Sequence, residues 1–159
     1  YMHDIGNAIN RTHHAEYGGL LADGILKKTD MNIKDRITIV SAISNHDEST
    51  GGAVDLVSAA LIIADKTDAL EDTRLVNRYL DLRRPVLQHN DRVNYAVTQH
   101  KLKVNVDKKT ISLNLQIDTK ICSMYEYFEI FLGRMMMCRG AADMLGATFK
   151  LMANGSKVL

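Results

Sequence analysis

The sequence has little proline and cysteine and no tryptophan: one Pro, two Cys and no Trp among 159 residues. Scarce proline leaves long stretches free to form helices. Cys122 and Cys138 have neither a metal-binding nor a redox spacing, which excludes a disulfide framework and predicts two buried thiols in a reducing, cytoplasmic setting. No apolar run approaches the roughly 18 residues that a membrane span requires, so we expect no membrane association.

Net charge is also nearly absent, with Lys+Arg at 20 against Asp+Glu at 19. The chain as a whole therefore has no field that would steer it towards nucleic acid, and no nucleic-acid partner is expected. A content of 46% hydrophobic and 25% charged residues is typical of a soluble globular protein. The opening Tyr1-Met2 lacks an initiator methionine at position 1, which predicts that an upstream segment has been lost.

The first half of the chain is predicted to be helical. Apolar residues recur at helical spacing over 14–28, 33–46 and 54–70. Asn32 is the predicted N-cap of the second helix, with Asp35 in its first turn. The inner face of the third helix is predicted to consist of Leu56, Val57, Ala60, Leu61 and Ala64.

The pattern changes near Tyr95, where apolar and polar residues begin to alternate. Two runs with this period of two predict strands joined by a turn at 107–110, which makes a β-hairpin. Their apolar positions are Leu102, Val104 and Val106, followed by Ile111, Leu113, Leu115 and Ile117. From Met124 onward, Phe128, Phe131, Met135 and Cys138 return to helical spacing and predict a C-terminal helix.

Side chains that bind metals are concentrated in the first third of the chain. His3, His13, His14 and His46 each stand beside an Asp, a Glu or a second His. Imidazole and carboxylate together suit divalent metal ions. Asp65 follows an apolar run, and a buried carboxylate is costly unless a cation lies opposite it.

Four short elements resemble the HD superfamily of metal-dependent phosphohydrolases, in family order over about residues 2–70. They are His3-Asp4-Ile5-Gly6, His14 with Gly18 four residues later, His46-Asp47-Glu48 and Ala64-Asp65-Lys66. The resemblance implies a helical bundle with the metal in its middle. It also implies that His3, Asp4 and Asp65 hold one metal, that His14 and His46 add a second, and that Asp4 bridges the two.

The resemblance therefore implies a mainly α fold, with an HD-type helical domain over 1–92 that lacks its N-terminal helix. A β-hairpin and helix over 93–159 would form an α+β appendage. Three roles are open for it: a dimer contact, a lid, or contact of the lysine-bearing outer face of the hairpin with a substrate phosphate. The cofactor would be one or two divalent ions, with Fe, Mn, Mg, Zn and Ni not distinguished by the sequence. His14 is preferred to His13 because Gly18 lies at the family's offset from it.

The implied activity is hydrolysis of a phosphoester or phosphoanhydride in a small nucleotide-like substrate by a metal-activated hydroxide. Asp4 would take part as the shared carboxylate, and Arg11, Lys66 or Arg74 would neutralise phosphoryl charge. Ser49-Thr50-Gly51-Gly52 replaces the Gly-Tyr-Pro of the cyclic-dinucleotide branch, which disfavours that substrate.

Two departures from the family pattern keep other functions open. Asn7 stands where the family often has lysine, and the family's upstream histidine is absent from this sequence. These departures favour, as the alternative, a regulatory module that binds metal or nucleotide without turnover. An oxygenase with a dinuclear iron site is a third alternative, and no residue of this sequence favours it over hydrolysis.

Overall fold

The computed structural model describes residues 2–68 and 93–159 and divides the chain into two units. The first unit contains residues 1–64 and 140–146, and the second contains 65–139 and 147–159. The predicted division between residues 92 and 93 borders residues outside the described range, and it stays a prediction.

The first unit begins with a short 3₁₀ helix, Ile5–Ala8, followed by α1 (His14–Leu26), α2 (Ile33–Ser44) and all but the last two residues of α3 (Leu56–Lys66). The three predicted helices are confirmed, although each ends earlier than its apolar pattern suggested. Asn32 is confirmed as the N-cap of α2, because its Oδ1 accepts a 3.0 Å hydrogen bond from the backbone N–H of Asp35.

The third helix starts at a reciprocal cap. Asp55 Oδ1 accepts from the backbone N–H of Ser58 at 2.7 Å, and Ser58 Oγ accepts from the N–H of Asp55 at 2.9 Å. The predicted inner face of α3 is wrong: Leu56 is 63% exposed. The buried apolar residues are instead Ala59, Ile62 and Ile63. Because α3 carries apolar residues almost all round, its spacing could not indicate which face is buried.

The second unit contains a four-stranded mixed sheet in the order β1-β2-β3-β4. The strands are β1 (Val97–Asn105), β2 (Thr110–Ile117), β3 (Thr148–Ala153) and β4 (Ser156–Lys157). The predicted hairpin is confirmed as the antiparallel pair β1–β2. Strand β3 runs parallel to β2, and the long helix α4 (Met124–Met144) connects the two, as parallel neighbours require.

The predicted fold class, a mainly α helical bundle, is therefore wrong, because the described residues form an α+β structure with a mixed sheet. The prediction missed β3 and β4. Their signal is short but present: buried Phe149, Leu151 and Ala153 alternate with outward residues. Asn154 and Gly155 then have φ values of +48° and +81°, the left-handed pair of a type I′ hairpin turn.

The predicted C-terminal helix is confirmed as α4, but it does not end the chain. Gly133 and Gly140 lie within it without a break, and Gly146 follows its end with φ +68°. Over residues 2–68 and 93–159, we find no helix with the length and apolar character to cross a membrane.

Candidate metal centre

The His3-Asp4 pair is held against the start of α1 by two glycines. A Cβ on Gly6 would lie 2.0 Å from the carbonyl oxygen of His14, and one on Gly18 would lie 2.9 Å from the carbonyl oxygen of His3. No side chain fits at either contact, because both neighbours are backbone atoms. The glycines thus allow His3 and the 3₁₀ helix to approach α1 closely, and this gives Gly18, predicted only from the family pattern, a physical role.

His14 is the first residue of α1, and its ring is oriented by the preceding turn. Its Nδ1 lies 2.9 Å from the backbone carbonyl oxygen of Arg11. A carbonyl oxygen only accepts, so Nδ1 must carry the proton. In the neutral imidazole, Nε2 then presents a bare lone pair on the opposite side of the ring.

His46 is oriented in the same way at the end of α2. Its Nδ1 lies 2.6 Å from the carbonyl oxygen of Ile43, three residues earlier, as Arg11 is three residues before His14. The ring is almost completely buried, with 1% of its surface exposed. Its Nε2 therefore also presents a lone pair inside the protein.

The atoms that carry these two lone pairs lie close to each other and to a carboxylate oxygen. The Nε2 atoms of His14 and His46 are 3.2 Å apart, and Asp4 Oδ1 lies 3.4 Å from the first and 3.5 Å from the second. Three acceptors so close repel one another unless a positive charge lies between them. A proton on one Nε2 could form a hydrogen bond to one neighbouring acceptor, whereas a metal ion could bind the lone pairs of all three.

The spacing of the three atoms also fits a metal ion. Ligands about 2.0–2.2 Å from a zinc-like ion lie roughly 3.0–3.5 Å from one another, because they occupy neighbouring corners of its coordination shell. The ligand atoms of Asp4, His14 and His46 all lie within 4.8 Å of one another, at the separations given above. The donor set of two imidazoles and one carboxylate suits Zn, Fe, Mn or Ni better than Mg, which prefers oxygen.

The second oxygen of Asp4 points to a different partner. Asp4 Oδ2 lies 3.4 Å from Nε2 of His3, while Oδ1 lies between His14 and His46. Where a proton and not a metal supplies the positive charge, the N–H groups of His3, and then of His46, hydrogen-bond to the Asp4 carboxylate and hold its pKa well below its usual range. The carboxylate is therefore ionised at neutral pH, with Oδ1 directed at His14 and His46 and Oδ2 directed at His3.

Asp47 lies beside this cluster. Its Oδ2 is 3.7 Å from Nε2 of His14, and its Oδ1 accepts a hydrogen bond from the backbone N–H of Ser49 at 2.8 Å. The turn at Ser49 thus fixes the orientation of the Asp47 carboxylate. His13, to which His14 was preferred, has a side chain that is 58% exposed, with Nδ1 3.8 Å from Oε1 of Glu16.

Four further residues were predicted from the sequence: Asp65, Lys66, Arg11 and Arg74. Asp65 and Lys66 end α3, and the buried Lys66 ammonium lies 2.8 Å from Asp65 Oδ2. The role of Asp65 as a ligand stays a prediction. Arg11 has an exposed side chain, and its backbone carbonyl orients His14. Arg74 lies outside the described residues.

Sequence reasoning missed the carbonyl groups of Arg11 and Ile43, which orient the two imidazoles. Every residue has a carbonyl, so no residue type marks these positions. The available signal is the spacing alone, because each carbonyl lies three residues before its histidine, where a helical or turn-like backbone brings it beside the ring.

Comparison with known proteins gives a short match to another class of protein. The chain is 63% identical over 38 residues to an aspartate–tRNA ligase of Mycoplasma pneumoniae. It is 56% identical over 39 residues to aspartate–tRNA(Asp/Asn) ligases of Bacillus cytotoxicus and Bacillus thuringiensis. Each match covers 24% of this chain and 7% of the relative, so the chain spans a small part of the length of these enzymes. No family model matches the chain, and no solved structure matches it.

Proposed function

We propose that this chain is part of a metal-dependent phosphohydrolase that cleaves a phosphoester or phosphoanhydride of a small nucleotide-like substrate. The observation that carries the proposal is the meeting of three acceptors, Nε2 of His14, Nε2 of His46 and Oδ1 of Asp4, within 3.2–3.5 Å. Both rings are held in the tautomer that a metal ligand needs. The resemblance of four sequence elements to the HD superfamily supports the same proposal.

The divided orientation of Asp4 supports two metal positions. Oδ1 belongs with His14 and His46, whereas Oδ2 is directed at His3. A carboxylate that spans two cations is ionised and holds them at a fixed separation. We propose Asp65 as a further metal ligand, because the family order of the motif implies it.

Metal bound here would lower the pKa of a coordinated water towards about 7 and supply the attacking hydroxide. The residues of the chain then have separate tasks. Asp4, His14 and His46 would hold the metal ion. The exposed guanidinium of Arg11, close in sequence to His14, is our candidate for contacting a substrate phosphate. Lys66 would offset carboxylate charge through its contact with Asp65 and is the second candidate for the phosphate.

Elemental analysis of the full chain, purified without added metal, tests the proposal. We expect one or two equivalents of a transition metal, lost almost entirely in Asp4→Ala and reduced in His14→Ala. His13→Ala is the matched control, since His13 is the adjacent histidine and its side chain is 58% exposed. Equal metal content in His14→Ala and the unaltered chain would exclude the second metal, and no metal in any variant would exclude the site.

Turnover is measured separately, with an aryl phosphodiester and a panel of nucleotides as substrates. Metal-dependent release of product that is lost in Asp4→Ala supports the phosphohydrolase. Bound metal with no turnover of any of these substrates would favour the alternative, a regulatory module that binds metal or nucleotide. A cytoplasmic location is part of the proposal, in keeping with the two buried cysteines, Cys122 and Cys138.

A second candidate rests on the short match to aspartate–tRNA ligases. It predicts that the chain takes part in joining aspartate to tRNA, although the match covers only 7% of those enzymes. Incubation of the chain with labelled aspartate, a nucleoside triphosphate and tRNA tests it. Aspartyl-tRNA above the level of a protein-free control would favour this candidate over hydrolysis.

A further inference from the structure

The two faces of the sheet in the second unit differ in chemistry. On the inner face β2 and β3 bury their apolar residues, which are Ile111, Leu113, Leu115, Ile117, Phe149, Leu151 and Ala153. The opposite face carries the alternate residues of the same strands, and none of these is buried. This second face, the outer face, therefore presents a continuous surface to solvent.

Strand register places four lysines on the outer face. Lys103 is paired with Ser112, which is paired with Lys150 on the next strand. Lys101 begins a second row that passes through Asn114 and Met152 to Lys157. Directly paired residues project to the same side of a sheet, so the four ammonium groups share one face. All four lysines are exposed.

No carboxylate offsets this charge on the outer face. The other outward positions of the described strands are neutral: Gln99, Asn105, Thr110, Ser112, Asn114, Gln116, Thr148 and Met152. Among the residues that the structure describes, none of the four lysines is paired with an Asp or Glu. With strands about 4.8 Å apart and a rise of about 3.3 Å per residue, the lysines cover a patch of roughly 7 by 14 Å.

The neutral residues indicate which anion fits this patch. Gln99, Lys101, Asn114 and Gln116 line an open depression of about 440 Å³ on the sheet. Amides donate to phosphate oxygens and also hydrogen-bond to ribose hydroxyls and base edges. An anionic membrane would attract the same lysines, but stable binding adds apolar groups that insert, and Met152 is the one apolar side chain among the outer-face positions of the described strands.

From this charge and this set of amides, we propose that the outer face of the sheet binds the phosphate backbone of single-stranded RNA. The four lysines supply sequence-independent attraction, and the amides in the depression contact the nucleotides. The outer face carries no aromatic residue, so stacking contributes nothing and binding depends strongly on salt. The inference is independent of the proposed hydrolase, and it replaces the expectation of no nucleic-acid partner that the balanced total charge suggested.

Fluorescence anisotropy of the full chain with a labelled single-stranded RNA of about 20 nucleotides tests this inference. The test variant changes Lys101, Lys103 and Lys150 to Gln together. The matched control changes three exposed lysines elsewhere, Lys28, Lys34 and Lys120, to Gln and alters net charge equally.

We expect the unaltered chain to bind the RNA and to lose affinity steeply between about 50 and about 200 mM salt. Removal of three phosphate contacts should reduce the slope of log affinity against log salt by about 2, and affinity at low salt by on the order of tenfold. The control should keep most of the affinity and the slope. Restoring the charge with three Arg substitutions at the test positions should restore binding, while circular dichroism verifies that each variant is folded.

Three results would overturn the inference. The first is no RNA binding at about 50 mM salt, where electrostatic attraction is strong. The second is an equal loss in the test and control variants, which would mean that net charge and not the outer face matters. The third is binding to vesicles containing phosphatidylserine, or to polyglutamate, without binding to RNA, which would assign the face to a membrane or to an acidic protein.

Discussion

Charge is distributed differently in the two described segments, residues 2–68 and residues 93–159. The first segment has ten Asp and Glu against six Lys and Arg, whereas the second has five against nine. In the first, acceptor atoms of Asp4, His14 and His46 converge to within 3.5 Å. In the second, lysines are spread over one face of a sheet by strand alternation. The near-zero total charge of the chain conceals both features.

The two arrangements depend on different structural requirements. Convergence needs backbone segments in direct contact, which Gly6 and Gly18 permit. A spread of lysines needs only the alternation of side chains along paired strands, which any regular sheet supplies. We therefore expect the metal centre to be sensitive to single substitutions in its backbone contacts, and the lysine face to be sensitive mainly to loss of charge or of the sheet.

Gly6→Ala should have the largest effect and should break the first arrangement alone. The added Cβ would meet the carbonyl oxygen of His14 at 2.0 Å, so the 3₁₀ helix must move away from α1. Overpacking of this kind costs about 1–3 kcal/mol, and more where the contact is backbone. We expect this loss in urea denaturation, together with a fall in metal content.

Gly24→Ala is the control for that substitution. Gly24 lies in α1, and a Cβ there meets nothing within 4 Å, so alanine should be neutral or should stabilise the helix by up to about 1 kcal/mol. RNA binding should be unchanged in both variants. Equal stability and equal metal content in Gly6→Ala and Gly24→Ala would show that close approach of the backbones is not what forms the centre.

The sequence predicted that Asp4, His14 and His46 lie together, but not what orients them, and their role as metal ligands stays a prediction. Asp4, His14 and His46 were predicted from the order of short motifs, and the structure brings their ligand atoms together. The carbonyl groups of Arg11 and Ile43, which fix the ring tautomers, were not predicted, because a carbonyl is common to every residue. The buried face of α3 was also mispredicted, since a helix that is apolar on most sides gives no periodic signal.

The fold of the second segment was predicted only in part. The hairpin β1–β2 was found because both strands alternate over several residues. Strands β3 and β4 were missed because β4 has two residues and β3 has six, too few to outweigh the preceding helical pattern. Asn154-Gly155 is a residue pair that favours a two-residue hairpin turn, and the φ values of +48° and +81° at these positions agree with that turn.

Asn154→Ala should have the next largest effect and should disturb the second arrangement alone. The Asn154 side chain accepts from the backbone N–H of Ile117 at 2.8 Å and donates to the carbonyl of Ile117 at 3.0 Å, which joins the turn to β2. Alanine loses both hydrogen bonds and is strained at φ +48°. We expect a loss of about 1–3 kcal/mol in urea denaturation, with weaker RNA binding and unchanged metal content.

Asn154→Gly separates the effect of the lost hydrogen bonds from the effect of backbone strain. Glycine tolerates the positive φ but lacks the hydrogen bonds, so its loss of stability should be smaller than that of alanine by about 1 kcal/mol. A fall in metal content in either variant would show that the metal centre and the lysine face are not independent of each other.

Asp55→Ala should have the smallest effect and should show how far a change outside the cluster reaches. The variant removes the acceptor for the N–H of Ser58 and leaves the first turn of α3 without its cap. Losses of N-cap residues cost about 1 kcal/mol. Asp30→Ala, at an exposed position in the loop before α2, removes the same charge without removing a cap and should change stability by less than about 0.5 kcal/mol.

If Asp55→Ala lowers stability while its metal content stays at the level of Asp30→Ala, the first turn of α3 is not needed for the convergence of Asp4, His14 and His46. A loss of bound metal in Asp55→Ala would mean that the position of α3 affects the geometry of the metal centre.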